Sequence, residues 1–152
     1  MENFIYDIKT KIYFGKGSIS HLSEAVRPYG KKALLVYGGG SIKRIGLYDE
    51  AVKQLEEAGV SIVELSGVQP NPKIESVREG VRLCRENDVD VVVAIGGGST
   101  IDAAKVIAGS VSYEGDPWDI VLDAGKVVSV LPIISVLTLT ATGSEMDVFA
   151  VI

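Results

Sequence analysis

Val89-Asp90-Val91-Val92-Val93-Ala94-Ile95 runs directly into Gly96-Gly97-Gly98-Ser99-Thr100-Ile101-Asp102-Ala103-Ala104-Lys105. The first half is an apolar, β-branched run, the pattern of a strand buried on both faces of a parallel sheet. The second half breaks on three glycines and resumes at helical spacing with Ile101, Ala104 and Ala108. The stretch is therefore a strand, a tight turn and a helix. A helix starting at such a turn presents unpaired backbone N–H groups and the positive end of its dipole, and glycines let a phosphate approach without meeting a Cβ. The site suits an anion such as a nucleotide pyrophosphate. Ser99 is placed to cap the helix, and Asp102 and Lys105 lie on its first turns, within reach of a ligand at the turn. The spacing is neither G-x-G-x-x-G nor the phosphate loop in which lysine follows the last glycine. Taken alone, three glycines also fit a turn that needs them only for backbone geometry.

Composition narrows the choice. The chain has 152 residues, 47% of them hydrophobic, and no apolar stretch near the roughly 20 residues of a membrane helix, so one soluble domain with a real core is expected. A net charge of -5 and a pI near 4.9 offer no basic stripe for nucleic acid. The single cysteine, Cys84, shares a helical stripe with Ile74, Val77 and Val81 and reads as core. The single histidine, His21, reads as a solvated surface residue, because metal sites recruit several ligands together. Met1-Glu2-Asn3-Phe4 shows no secretion signal, which makes a reducing, cytoplasmic setting the expectation.

In chain order, Phe4 to Tyr6 and Lys11 to Phe14 predict two short strands, and Ser18 predicts the cap of a helix ended by Pro28 and Gly30. Ala33 to Tyr37 is a second apolar strand, and it too ends in glycines, Gly38-Gly39-Gly40-Ser41. A helix from about Tyr48 to Ala58, a strand from Val60 to Leu65, the Gly67 to Pro72 loop and a helix from about Lys73 to Asn87 return the chain to Val89. The helix after the second turn continues to about Val111, a loop holds Glu114 to Asp119, and Trp118 packs that loop onto the domain. Val127 to Ile134 and Val136 to Thr140 are extended, and Thr138-Leu139-Thr140-Ala141-Thr142-Gly143-Ser144-Glu145 offers hydroxyls that could meet phosphate or ribose oxygens. This alternation demands an α/β fold, a doubly wound, mainly parallel Rossmann-like sheet with helices on both faces and a short N-terminal strand pair. Ligands of such sheets bind at the carboxyl ends of the strands, where both glycine turns fall.

Five segments in register carry a resemblance: FGKGS (Phe14 to Ser18), YGGGSIKR (Tyr37 to Arg44), PNP (Pro70 to Pro72), IGGGSTIDAAK (Ile95 to Lys105) and TLTATGSE (Thr138 to Glu145). Together they resemble the N-terminal half of the iron-containing (group III) alcohol dehydrogenases, within that family the NAD(P)H-dependent butanol dehydrogenases. The resemblance covers essentially the whole chain and implies a dehydroquinate synthase-like N-terminal domain that binds a nicotinamide dinucleotide.

It implies that Gly97, Gly98 and Ser99 bind the cofactor pyrophosphate, that Asp102 lies beside the cofactor, and that the run from Thr138 to Thr142 contacts it from the other side. It also implies that the turn of Gly38, Gly39, Gly40 and Ser41 receives the adenosine ribose. Members using NAD tend to carry an aspartate where this sequence has Gly38, and Ser41, Lys43 and Arg44 can donate to a phosphate, so NADP(H) is favoured over NAD(H). The family continues into a helical domain whose aspartate and three histidines hold a divalent metal, usually iron or zinc, that polarises a small alcohol or aldehyde. None of these ligands is in this sequence, which ends on the apolar run Phe149-Ala150-Val151-Ile152. Residues 1–152 are therefore expected to be a single cofactor domain from a longer, truncated or split enzyme, without catalytic or metal residues of its own and inactive alone. A glycerol dehydrogenase or dehydroquinate synthase relative, or a stand-alone nucleotide-binding module, remains open. A homodimer is expected, with the strands at Phe4 and Phe14 as its candidate edge. No membrane contact is expected.

Overall fold

The structure, a computed structural model, describes residues 9–152. Four strands, β1 (Lys32–Tyr37), β2 (Ser61–Leu65), β3 (Val91–Gly96) and β4 (Ile133–Leu137), form one parallel sheet in the order β2-β1-β3-β4. The helices are α1 (Leu22–Val26), α2 (Ser41–Arg44), α3 (Leu47–Glu57), α4 (Ile74–Asn87), α5 (Gly98–Ser110) and α6 (Pro117–Leu122). No helix among the described residues is long and apolar enough to cross a membrane.

Strands β1 and β3 are central, and every residue of β3 and all but Lys32 of β1 are buried, as their unbroken apolar runs require. Alternate side chains feed two cores. Leu34, Val36, Val92 and Ala94 pack against α4 and α5 through Val77, Val81, Ile101 and Ile107; Ala33, Leu35, Val91, Val93 and Ile95 pack against α1 and α3 through Leu22, Val26, Ala51 and Leu55. The helix leaving β1 thus lies on one face and the helix leaving β3 on the other. That makes the carboxyl ends of these two neighbours the topological switch point of the sheet, where a crevice opens.

At the opposite end, Asp90 Oδ2 accepts the amides of Lys31 and Lys32 at 2.8 and 3.0 Å, tying β1 to β3. Cys84 is buried, and burial pushes its thiol up to about 12.

Several expectations need correction. Residues 11–14 form no strand, so the edge anticipated at Phe14 is lost, while Phe4 to Tyr6 lie outside the described residues. Ser18 caps nothing: Gly17, in the left-handed region at φ 80°, precedes a 3₁₀ turn, Ser18–His21, that leads into α1. The presumed loop after Glu114 contains α6, with Pro117 as its first residue and Asp116 accepting the Trp118 amide at 2.8 Å. The two extended segments around Pro132 reduce to one strand, β4, and residues 149–152 are irregular. Trp118 is 39% exposed, covering the domain only in part.

Candidate functional site

Both glycine turns lie at the switch point. Register places Tyr37 beside Ile95, so Gly38 and Gly96 leave the sheet next to each other. The carbonyl of Gly96 accepts the Thr138 amide at 3.0 Å, which brings the hydroxyl-rich run to the second turn.

Gly97, not Ser99, is the N-cap of α5, in extended conformation (φ −92°, ψ −169°), and its carbonyl accepts the amides of Thr100 and Ile101 at 3.1 and 3.2 Å. The amides of Gly98 and Ser99 have no i−4 carbonyl within the helix. A Cβ on Gly97 would meet nothing nearer than Leu139 Cβ at 3.8 Å, whereas one on Gly98 would lie 3.2 Å from Ser144 Oγ and 3.7 Å from Thr142 Oγ1. Thr142 therefore joins this turn, together with Ser144, which is buried and was not singled out from the sequence. Ser99 Oγ accepts the Asn71 amide at 3.2 Å, so the Pro-Asn-Pro loop is pinned to the start of α5. Asn71 holds a positive φ of 54°, a conformation its short amide side chain tolerates.

The first turn is just as open. Gly38 needs its missing side chain, since a Cβ would sit 3.1 Å from the Val68 carbonyl, and its own carbonyl accepts the Gly67 amide at 3.0 Å. Gly39 and Gly40 face open space. An open cleft of about 280 Å³ is lined by Tyr37, Gly38, Gly39, Gly40, Lys43, Ser66 and Gly67. Ser41 is the first residue of the short α2. A further recess of about 330 Å³, lined by residues of α1 and α3 including Ser23, Glu24, Gln54 and Glu57, lies between those two helices and away from both turns.

Beside the cleft stands a cluster that the sequence did not reveal. Tyr37 Oη donates to Glu64 Oε2 and Tyr48 Oη to Glu64 Oε1, each at 2.5 Å. The two tyrosines hold the Glu64 carboxyl below its usual range, and the same bond to Glu64 pushes the Tyr48 phenol up to about 12. The Lys43 ammonium lies 5.3 Å from the Tyr37 ring centroid and 4.3 Å from that of Tyr48.

Asp102 is only 9% exposed. Its Oδ2 accepts the Val151 amide at 3.1 Å, and its Oδ1 has no hydrogen-bond partner among the described residues, with Lys105 Nζ 3.7 Å away. Lys105 is engaged by the segment after the hydroxyl run. Its ammonium bonds Asp147 Oδ1 at 2.8 Å and the Phe149 carbonyl at 2.5 Å, and holds the Asp147 carboxyl low. Lys105, expected within reach of a ligand at the turn, thus has its hydrogen-bond partners in the segment after the hydroxyl run.

Orphan amides at the head of α5 and glycines facing open space in the first turn fit a polyphosphate, while the Asp102 carboxylate, an acceptor, fits a donor group elsewhere on such a ligand. A metal does not fit here, because no group of three or more His, Cys, Asp or Glu side chains among the described residues could hold one.

Residues 9–152 match the model of iron-containing alcohol dehydrogenases. The chain belongs to that family. It is 58% identical over 152 residues to NADH-dependent butanol dehydrogenase B of Clostridium acetobutylicum, covering 100% of this chain and 39% of that one. It is 42% identical to an NADPH-dependent aldehyde reductase of Escherichia coli over 100% of this chain and 39% of the other. The crystal structure of NADH-dependent butanol dehydrogenase A from Thermotoga maritima superposes with a TM-score of 0.89 at 45% identity, covering 97% of this chain and 37% of that one. The chain thus spans about 39% of the length of the curated relatives it matches. The matched relatives of this parallel α/β unit include proteins named for NADH and for NADPH.

Proposed function

We propose that residues 1–152 are the nicotinamide-dinucleotide-binding domain of a cytoplasmic, metal-dependent oxidoreductase that interconverts a primary alcohol and its aldehyde, such as butanol and butyraldehyde. The single observation that carries this is the second turn. Gly97 caps a 13-residue helix, a Cβ there would make only an ordinary contact with Leu139, and further along the same helix the buried Oδ1 of Asp102 accepts no hydrogen bond among the described residues. Gly98 and Ser99 would hold the pyrophosphate through their amides. Thr138 and Thr142 would approach from the β4 side. The Gly38, Gly39 and Gly40 turn would take the adenosine ribose. The bound nicotinamide supplies or accepts the hydride.

The domain's own contribution is to bind, orient and hold charge. With no carboxylate at Gly38, with Lys43 lining the cleft and with Ser41 opening α2 directly after Gly40, the site favours NADP(H). Iron or zinc would be held by residues beyond this chain, and residues 1–152 alone are proposed to support no turnover. Titration with NADPH and with NADH, following cofactor fluorescence with and without added iron or zinc, tests the reading. Metal-independent binding, tighter for NADPH, is expected. Metal-dependent reduction of butyraldehyde by residues 1–152 alone would overturn the assignment of the metal to other residues.

A further inference from the structure

Lys43 is the cation of the first cleft, and it makes no ion pair among the described residues. Two tyrosine rings hold its ammonium, and those rings are fixed by one carboxylate, Glu64, whose two oxygens each accept a phenolic O–H. The pieces come from four elements. Tyr37 ends β1, Lys43 lies on α2, Tyr48 opens α3 and Glu64 sits in β2, one residue before its end. The aromatic faces attract the ammonium, and the hydrogen bonds to Glu64 keep both rings from rotating away.

We propose that Glu64 is a positioning and specificity-determining residue of the adenosine end of the site, a carboxylate masked by Tyr37 and Tyr48 that places Lys43 and at the same time limits the preference for a 2′-phosphate. The inference rests on the reading of this cleft as the adenosine ribose site. Lys43 offers a point charge to a ribose 2′-phosphate dianion. Glu64 opposes that dianion from the same corner, and its repulsion is reduced while both of its oxygens are engaged. Neither charge discriminates strongly against a ribose bearing two hydroxyls, which accounts for a cleft that lacks an acid at Gly38 in a chain whose 58%-identical relative is named for NADH. Cofactor choice is thus a balance of two opposed charges, and each can be moved separately.

The test is the ratio of dissociation constants for NADH and NADPH in the intact protein, read by cofactor fluorescence. Glu64→Gln keeps an acceptor for one tyrosine and a donor for the other while removing the charge. It is expected to shift the ratio toward NADPH by on the order of fivefold. Lys43→Met keeps the stem over the rings and should shift it toward NADH by a similar factor. Tyr48→Phe unmasks one oxygen of Glu64 and should also move it toward NADH. A purely structural Glu64 would change both constants alike and leave the ratio fixed, which would overturn the inference. Gly97→Ala separates that failure from a wrong site. If Gly97→Ala weakens both cofactors while Glu64→Gln leaves the ratio alone, the cofactor site stands and the role of Glu64 falls; if Gly97→Ala changes neither constant, both fall.

Discussion

Replacing Gly97 by alanine should abolish tight dinucleotide binding and leave the domain folded. The position adopts φ −92° and ψ −169°, which alanine accepts without strain, and the nearest atom to an added Cβ is Leu139 Cβ at 3.8 Å, an ordinary contact. Alanine is a poorer N-cap than glycine, but it also reduces the entropy of the unfolded chain, so the net change in stability stays within about 1 kcal/mol. Binding has no such compensation. A pyrophosphate held by the Gly98 and Ser99 amides would be crowded by a methyl on the residue just before them, and losing two hydrogen bonds to it costs about 3–6 kcal/mol, at least a hundredfold in affinity. Cofactor fluorescence gives the dissociation constant, and a urea melt of the same sample gives the stability. An alanine variant that binds NADPH as tightly as the parent would refute the placement of the pyrophosphate. One that loses binding only because it no longer folds would refute the claim that a Cβ fits at Gly97 without strain.

Gly80 tests packing instead. A Cβ there would lie 2.4 Å from Ile107 Cδ1 and 3.0 Å from Leu65 Cδ2, so Gly80→Ala should separate α4 from α5 and lower stability by about 1–3 kcal/mol despite the better helix propensity of alanine. Cys84 predicts an alkaline limb. Its thiol is raised from 9.0 to about 12 in the folded state, so its contribution is complete below pH 9 and is lost as pH rises toward 12 while the unfolded thiolate forms. The parent should therefore lose up to about 1.4 kcal/mol per pH unit more than Cys84→Ala across that window in urea melts at stepped pH. An identical pH dependence in the two would contradict the burial of that thiol.

Much of the architecture was legible because its signals are local. The unbroken apolar runs ending at Tyr37 and Ile95, each closed by glycines, read as doubly buried strands, and Ile74, Val77, Val81 and Cys84 repeat at helical spacing on the face that α4 buries. The glycine turns were legible for the same reason. The misses have physical causes. Residues 11–14 have the β-branched and aromatic types that strands favour, but no strand pairs with them among the described residues, and propensity alone forms no sheet. Around α6, Gly115 and Pro117 mark a turn as readily as a helix start, and only the Asp116 cap and its pair with Arg78 at 2.9 Å decide it. Ser99 has the residue type of a cap, yet the chain bends two residues earlier, at Gly97, and frees its hydroxyl for Asn71. Glu64 lay beyond reach because its partners are 27 and 16 residues away, and only the β1–β2 register and the docking of α3 bring them together.

The central claim is that the head of α5 and the turn after β1 hold the two ends of one dinucleotide. A crystal structure of the intact protein with NADPH tests it most directly. The account predicts pyrophosphate oxygens within about 3.2 Å of the Gly98 and Ser99 amides and the adenosine ribose against Gly39 and Gly40, with Lys43 turned to the 2′-phosphate. A cofactor lying elsewhere, with both glycine turns bare, would contradict it.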